Sequence, residues 1–197
     1  MTTERILTQT IPEQDGPPGD LAIWIFILAE MLVFGVLFAV YAFTRAHQVE
    51  LFNASQLNLS RTAGAINTLV LITSSYFVVR AVSAIRQGLS RDCVRWLVAG
   101  WLLGGVFVLV KLWEFRQKFA AGIGLDSNDF YMFYFTLTFF HFMHVLMGMI
   151  ILAFVINKAR RGGYNAQDYV GVETGASFWH MVDLLWIILF PLVYVIR

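Results

Sequence analysis

Five long apolar segments, separated by short polar stretches, dominate the sequence pattern. They run approximately over residues 21–43, 62–79, 93–113, 130–156 and 174–196. A helix that crosses the hydrocarbon core of a bilayer needs about 20 predominantly apolar residues, and each segment approaches or exceeds that length. The loops between the segments are too short to contain a folded domain. The pattern therefore predicts an all-α integral membrane bundle of five transmembrane helices.

The composition agrees with a chain whose solvent is lipid. Of the 197 residues, 58% are hydrophobic and 14% are charged. In soluble domains, roughly 45–50% of the residues are apolar and roughly 25% are charged. The net charge of +1 gives no basic surface for nucleic acid, so no nucleic-acid partner is expected. Cys93 is the only cysteine, which excludes an internal disulfide and a cysteine-built metal site.

The distribution of charge predicts how the chain is oriented. Residues 1–20 contain four acidic residues and a single arginine, unlike the basic start of a cleavable signal, and we interpret them as a tail. Eight Lys and Arg residues lie on the side of the tail and of the second and fourth loops, against six on the other side. Because cytoplasmic loops carry the excess of Lys and Arg, we expect the N-terminus inside and the C-terminus outside.

A few ionisable side chains interrupt the predicted spans and form our candidate site. They are Glu30 in the first span, His141 and His144 in the fourth, and His180 and Asp183 in the fifth. With a helical rise of about 1.5 Å per residue, they fall in one layer slightly to the inner side of the midplane. The i, i+3 spacing places each pair in the fourth and fifth spans on one helix face. Ionisable residues inside a membrane are costly and by default mark functional sites.

We predict that this buried polar layer connects helices. Glu30 is expected to face His141 and His144, and Asp183 to hydrogen-bond within the same layer, because a buried carboxylate needs a partner. The simpler alternative is a set of separate contacts between helices, each satisfied on its own. Two further charged residues, Lys111 and Glu114, lie near the outer end of the third span, where we expect their side chains to reach water by snorkelling.

Two other functions are compatible with these residues. A small redox protein could hold haem b between His180 and either His141 or His144. A transporter could use Glu30 as its proton-coupled group, although the sequence shows no internal repeat of the kind that builds many transporters. A di-iron carboxylate site would need Glu-x-x-His motifs, which the sequence lacks. We expect no metal and no redox cofactor.

Several segments match, in order, the motifs of a known membrane-protein family. The first span contains WIFILAEMLVFGVLFAVYAF, with its membrane-embedded carboxylate at Glu30. The later segments are GAINTLVLITSS, KLWEF, FFHFMHVLMG and ETGASFWHMVDLLWIILFPLVYV. Together, over roughly residues 19–197, they resemble subunit III of the haem–copper oxidase superfamily. The resemblance also identifies family-motif positions outside the polar layer. They are Asn67, Thr68, Glu114, Glu173, Trp179 and Trp186.

The resemblance implies an accessory subunit without a redox metal. Such a protein packs beside the catalytic subunit of a haem–copper oxidase or a nitric oxide reductase, binds membrane phospholipids, and supports stability and proton uptake. The chain lacks the first two helices of the seven-helix form. Its segments most resemble the five-helix type associated with nitric oxide reductase, since the bacterial quinol oxidase type tends to carry Asp where Glu30 stands. We therefore expect a bacterial inner membrane, in which the charge distribution given above places the N-terminus in the cytoplasm and the C-terminus in the periplasm.

Overall fold

The computed structural model describes residues 19–196, so most of the predicted tail of residues 1–20 lies outside the described part of the chain. Over the described residues there are six α-helices and a terminal π-helical turn. They are α1 (Leu21–His47), α2 (Val49–Gln56), α3 (Arg61–Arg86), α4 (Ser90–Ala120), α5 (Asp129–Arg160) and α6 (Val170–Phe190), followed by Pro191–Val195. All but α2 are long and apolar enough to cross a membrane. The predicted all-α bundle of five membrane helices is confirmed.

Three membrane helices extend past the predicted apolar segments and end at glycines. Gly88, Gly122 and Gly162 follow α3, α4 and α5 with φ of +76°, +73° and +73°. Glycine adopts this left-handed conformation without a steric penalty and so closes the last helical turn. Hydropathy falls before these residues, whereas helical hydrogen bonding continues up to them. The predicted boundaries therefore fall short of the observed ends.

The short helix α2 was not among the predicted elements, because eight residues give no clear hydrophobic pattern. It lies in the first loop and buries Phe52 against Tyr41 of α1 and Phe130 of α5, with ring centroids 5.5 and 5.6 Å apart. Its Gln56 Nε2 donates a hydrogen bond to the carbonyl of Val193 at 2.8 Å. α2 thus packs against the end of the bundle where the chain finishes.

Trp179 of α6 fixes the distance between the central helices. A Cβ at Gly104 of α4 would lie 2.6 Å from Cη2 of the indole, and one at Gly148 of α5 would lie 2.9 Å from Cε3. Both helices can approach α6 only because these positions have no side chain. The indole Nε1 donates to Ser74 Oγ at 3.1 Å, and that hydroxyl donates to the carbonyl of Gly100 at 2.8 Å.

Pro191 changes the last membrane helix from α-helical to π-helical. Proline has no N–H to donate, which interrupts the α-helical hydrogen-bond ladder. The helix continues as a π-helical turn, with Ile196 N donating to the carbonyl of Pro191 at 2.9 Å. Two carbonyls of the turn accept from other helices, since Tyr41 Oη donates to Leu192 O at 3.3 Å and Gln56 binds the next carbonyl. This turn brings Tyr194 back into the bundle, where it is fully buried.

Candidate functional site

Glu30 and His144 form a contact between α1 and α5. Glu30 Oε2 lies 3.1 Å from His144 Nε2, and the side chains are 19% and 7% exposed. His144 Nδ1 lies 2.8 Å from the carbonyl of Phe140, an acceptor, so Nδ1 carries a hydrogen. Glu30 Oε2 and His144 Nε2 thus lie within ion-pair distance, although Glu30 Oε2 makes no hydrogen bond of regular geometry within residues 19–196.

His141 faces away from this pair, toward α6. Its Nε2 lies 3.0 Å from the carbonyl of Val182 and donates to it, while its Nδ1 has no hydrogen-bond partner. The ring is fully buried against Phe107 and Trp186, with centroids 5.7 and 5.1 Å away. Of the two histidines that we expected Glu30 to face, the structure brings only His144 to it.

Asp183 and His180 meet α3 at Ser75. His180 Nδ1 lies 3.3 Å from Ser75 Oγ. The Asp183 carboxyl lies near the same Ser75 hydroxyl. Asp183 is 7% exposed, and its Oδ1 has no partner. The hydrogen bond that we expected for Asp183 stays a prediction, with Ser75 of α3 as the hydroxyl near its carboxyl.

The polar layer is therefore a series of separate contacts. One joins α1 to α5, one joins α5 to α6, and one joins α6 to α3. The described structure gives no hydrogen bond that links one of these contacts to another. The simpler alternative stated above describes this geometry better than a single shared network.

The expectation that Lys111 and Glu114 reach water is wrong. Lys111 is fully buried and Glu114 is 4% exposed. α4 continues to Ala120, nine residues beyond Lys111, so the lysine lies well inside the helix. Lys111 Nζ donates to Glu114 Oε2 at 3.0 Å and to Tyr194 Oη at 2.6 Å, and Tyr134 Oη donates to Glu114 Oε1 at 2.9 Å.

Aromatic rings enclose the Lys111 ammonium. Its Nζ lies 5.1–5.3 Å from the ring centroids of Phe115, Tyr134, Trp186 and Tyr194. The negative faces of such rings attract a cation, and the attraction is stronger when both are removed from water. Together with the Glu114 carboxylate, they make a buried ion-pair cluster that joins α4, α5, α6 and the π-helical turn.

The remaining motif positions connect helices. Trp186 Nε1 donates to Thr68 Oγ1 at 3.0 Å, which joins α6 to α3. Glu173, 3% exposed, accepts from Arg86 Nη2 at 2.5 Å and from Gly19 N at 3.3 Å. Asn67 is 1% exposed, and neither atom of its amide has a hydrogen-bond partner. Apart from Asn67, each of these residues holds two segments together.

Comparison with known proteins agrees with the sequence motifs. Residues 17–196 match the family model described as cytochrome c oxidase subunit III. A relative from Thermostichus vulcanus named cytochrome c oxidase subunit 3 is 34% identical over 177 residues, which cover 89% of this chain and 86% of that protein. The chain belongs to the cytochrome c oxidase subunit III family. The resemblance noted from the sequence is thus confirmed.

Other subunit III relatives differ in the complex that their names specify. Cytochrome bo(3) ubiquinol oxidase subunit 3 of Buchnera aphidicola is 28% identical over 173 residues, 87% of this chain and 83% of that protein. A protein of Aeropyrum pernix named heme-copper oxidase subunit I+III is 26% identical over 181 residues, which cover 89% of this chain and 22% of that longer protein. The family thus includes both separate and fused subunits.

The geometry of this subunit III does not favour haem ligation by its histidines. Both ring nitrogens of His144 already have protein partners, and His141 donates from Nε2 to a backbone carbonyl. Ligating iron would require these bonds to be replaced. Within residues 19–196, no group of three or more His, Cys, Asp or Glu side chains is arranged to hold a metal ion.

Sequence reasoning missed the residues that complete these contacts. Ser75, Arg86, Tyr134 and Tyr194 were not proposed, although each binds a residue that was. A signal did exist for the ion-pair cluster, because Lys111 and Glu114 are spaced i, i+3 in an apolar helix. That spacing predicts a pair on one face. The tyrosines carry no comparable signal, because aromatic residues are also typical of membrane interfaces.

Proposed function

We propose that this chain is the non-catalytic third subunit of a haem–copper terminal oxidase, located in a bacterial inner membrane beside the catalytic subunit. The family match over residues 17–196 carries the proposal. The relative named heme-copper oxidase subunit I+III supports it, because that name places subunits I and III in one chain. The orientation that we propose, N-terminus cytoplasmic and C-terminus periplasmic, rests on the distribution of Lys and Arg.

The polar contacts fit a structural rather than a catalytic role. Glu30, His141 and His180 each contact another helix of the same bundle, and Asp183 lies near Ser75 of α3. Interhelical hydrogen bonds between buried polar groups are one of the forces that hold membrane helices together, because lipid supplies no alternative partner. The subunit would thus present a rigid apolar surface to its partner. Support of proton uptake by the catalytic subunit is a further part of the proposal.

A groove between α1, α4 and α5 supports phospholipid binding. Its volume is about 990 Å³, and its lining includes Val33, Leu112, Phe119 and Phe139 together with Arg116. Apolar walls accommodate an acyl chain, and a guanidinium pairs well with a phosphate. We therefore propose that a phospholipid lies in this groove with its phosphate toward Arg116.

Co-purification in mild detergent tests the proposal. The tagged chain should bring down, in stoichiometric amount, a large subunit with haem absorption in the visible spectrum, and the same tag on an unrelated protein of the same membrane should not. Recovery of the chain without a large subunit would refute the proposal. Haem bound to the isolated chain would instead support the redox-protein alternative.

The identity of the large subunit decides the finer assignment. The sequence segments favour the type associated with nitric oxide reductase, whereas the relatives reported above carry oxidase names. Consumption of oxygen or of nitric oxide by the purified complex distinguishes the two. The transporter alternative requires flux of a substrate by the chain alone in liposomes, and loss of that flux in Glu30→Gln.

A further inference from the structure

A crevice with several polar side chains among its lining lies between α3 and α6 at the end of the bundle where α6 begins. Its volume is about 450 Å³, and its lining includes Ser83 and Arg86 of α3 with Glu173, Ser177 and His180 of α6. Arg86 is 53% exposed and marks the mouth, while Glu173 behind it is buried. A polar cavity of this size has room for several water molecules.

The crevice ends at the contact between His180, Ser75 and Asp183. His180 lines the crevice, and its Nδ1 lies 3.3 Å from Ser75 Oγ. Ser75 in turn lies near the Asp183 carboxyl, whose Oδ1 is buried without a partner. Asp183 is ten residues past Glu173 along α6, so it lies roughly 15 Å deeper, near the middle of a bilayer about 30 Å thick. An ionisable carboxyl at this depth is energetically costly, and such residues by default mark functional sites.

We propose that the crevice admits water from the Arg86 end of the bundle and that His180 and Ser75 transfer protons between this water and the Asp183 carboxyl. A hydronium ion protonates His180 at Nε2, the nitrogen that Ser75 does not contact. The Nδ1 proton moves to Ser75 Oγ, and the hydroxyl proton of Ser75 moves to the Asp183 carboxylate. The products are water, a neutral imidazole and a neutral carboxylic acid, and proton release follows the same steps in reverse.

The other charged and titratable groups near this path are engaged elsewhere. On α6 and on the helices packed against it, these include Glu173 on α6, Arg80 and Arg86 on α3, Glu30 on α1, and His141 and His144 on α5. Arg80 lies over the Trp96 ring, and Arg86 pairs with Glu173 at the mouth. The α1 and α5 groups belong to the separate contacts described above. Asp183 is thus the group that the crevice and its two relay side chains lead to.

The inference extends the proposed function, because protons taken up at this end would serve the catalytic subunit. The water path and the relay can nevertheless be tested on this chain without a catalytic subunit. Cys93 is the only cysteine and is fully buried. In a Cys93→Ala background, Ser177→Cys places a thiol in the crevice, and Ile25→Cys places one on an α1 surface that is 63% exposed. The two lie at similar depth, since Asp20 N donates to Thr174 Oγ1 at 3.2 Å.

A charged, membrane-impermeant thiol reagent then reports where water reaches. Applied to vesicles from the Arg86 side, it should label Ser177→Cys at least about tenfold faster than Ile25→Cys, because only a hydrated thiol ionises and reacts. Slow labelling of Ser177→Cys, or equal labelling of both, would overturn the crevice as a water path. The result holds whether or not a catalytic subunit co-purifies.

Infrared spectroscopy tests the relay itself. On lowering the pH, the protein should gain a carboxylic acid band that Asp183→Asn lacks. Transfer to deuterated water should shift this band as the acid proton exchanges for deuterium. This exchange should be at least about tenfold slower in Ser75→Ala and in His180→Phe, because each variant lacks one of the two groups that transfer the proton. Thr73→Ala is the matched control, because its hydroxyl binds only the carbonyl of Leu69 on the exposed face of α3. A band independent of pH, or equally fast exchange in all variants, would refute the relay.

Discussion

Removal of Lys111 should destabilise the protein far more than removal of an exposed lysine or arginine. The Lys111 ammonium is fully buried, donates to Glu114 at 3.0 Å and to Tyr194 at 2.6 Å, and lies among four aromatic rings. Lys111→Met keeps most of the volume but leaves the Glu114 carboxylate buried without its cation. Breaking one partner of a buried ion pair costs about 3–5 kcal/mol.

The double variant separates loss of charge balance from loss of packing. Lys111→Met combined with Glu114→Gln removes both charges, and the tyrosine hydroxyls can still bond the amide. Because neutral replacements of buried ion pairs are often tolerated, we expect the double variant to recover most of the stability, to within about 1–2 kcal/mol of the wild type. The second substitution thus restores about 2–3 kcal/mol, well above the additivity error of about 0.5 kcal/mol.

An exposed pair on the same helix provides the control. Arg95 and Asp92 have the same i, i+3 relation on α4 and lie 3.0 Å apart, but their side chains are 78% and 44% exposed. Such surface pairs contribute at most about 1 kcal/mol. Thermal unfolding of each variant in one detergent, followed by loss of monodisperse protein, gives the comparison. If the Lys111→Met variant were as stable as the Arg95→Met variant, the argument that Lys111 neutralises a carboxylate buried away from water would be refuted.

Two more substitutions test the packing of α6, each by the same unfolding measurement. Gly104→Ala should destabilise by about 1–3 kcal/mol through overpacking, because its Cβ would meet the Trp179 ring at 2.6 Å. Gly35→Ala, with no atom within 4 Å, should not destabilise, and equal effects at the two glycines would contradict this packing. Thr68→Val should cost about 1–3 kcal/mol, because it leaves the buried Trp186 indole N–H without an acceptor. Thr68→Ser keeps the hydroxyl and should stay near the wild type; if it loses as much as Thr68→Val, the hydrogen bond is not the cause.

The sequence by itself determined the fold class and the family. Five apolar segments of sufficient length allow few structures other than a helical membrane bundle, because backbone groups in lipid must bond within the chain. The level of Glu30 and His144 in the bilayer also follows from the sequence, since helical rise converts residue number into depth. Their contact at 3.1 Å agrees with that estimate. Ordered motifs, and not composition, identified the family.

Only the tertiary structure decided which groups at one depth face each other. Depth follows from position along a single helix, but facing depends on how each helix is rotated against its neighbours. Rotation is set by packing such as Trp179 against Gly104, between residues far apart in sequence. His141 therefore points to α6 while His144 points to α1. Lys111 is buried for the same reason, because the tyrosines that enclose it come from another helix and from the turn that Pro191 creates.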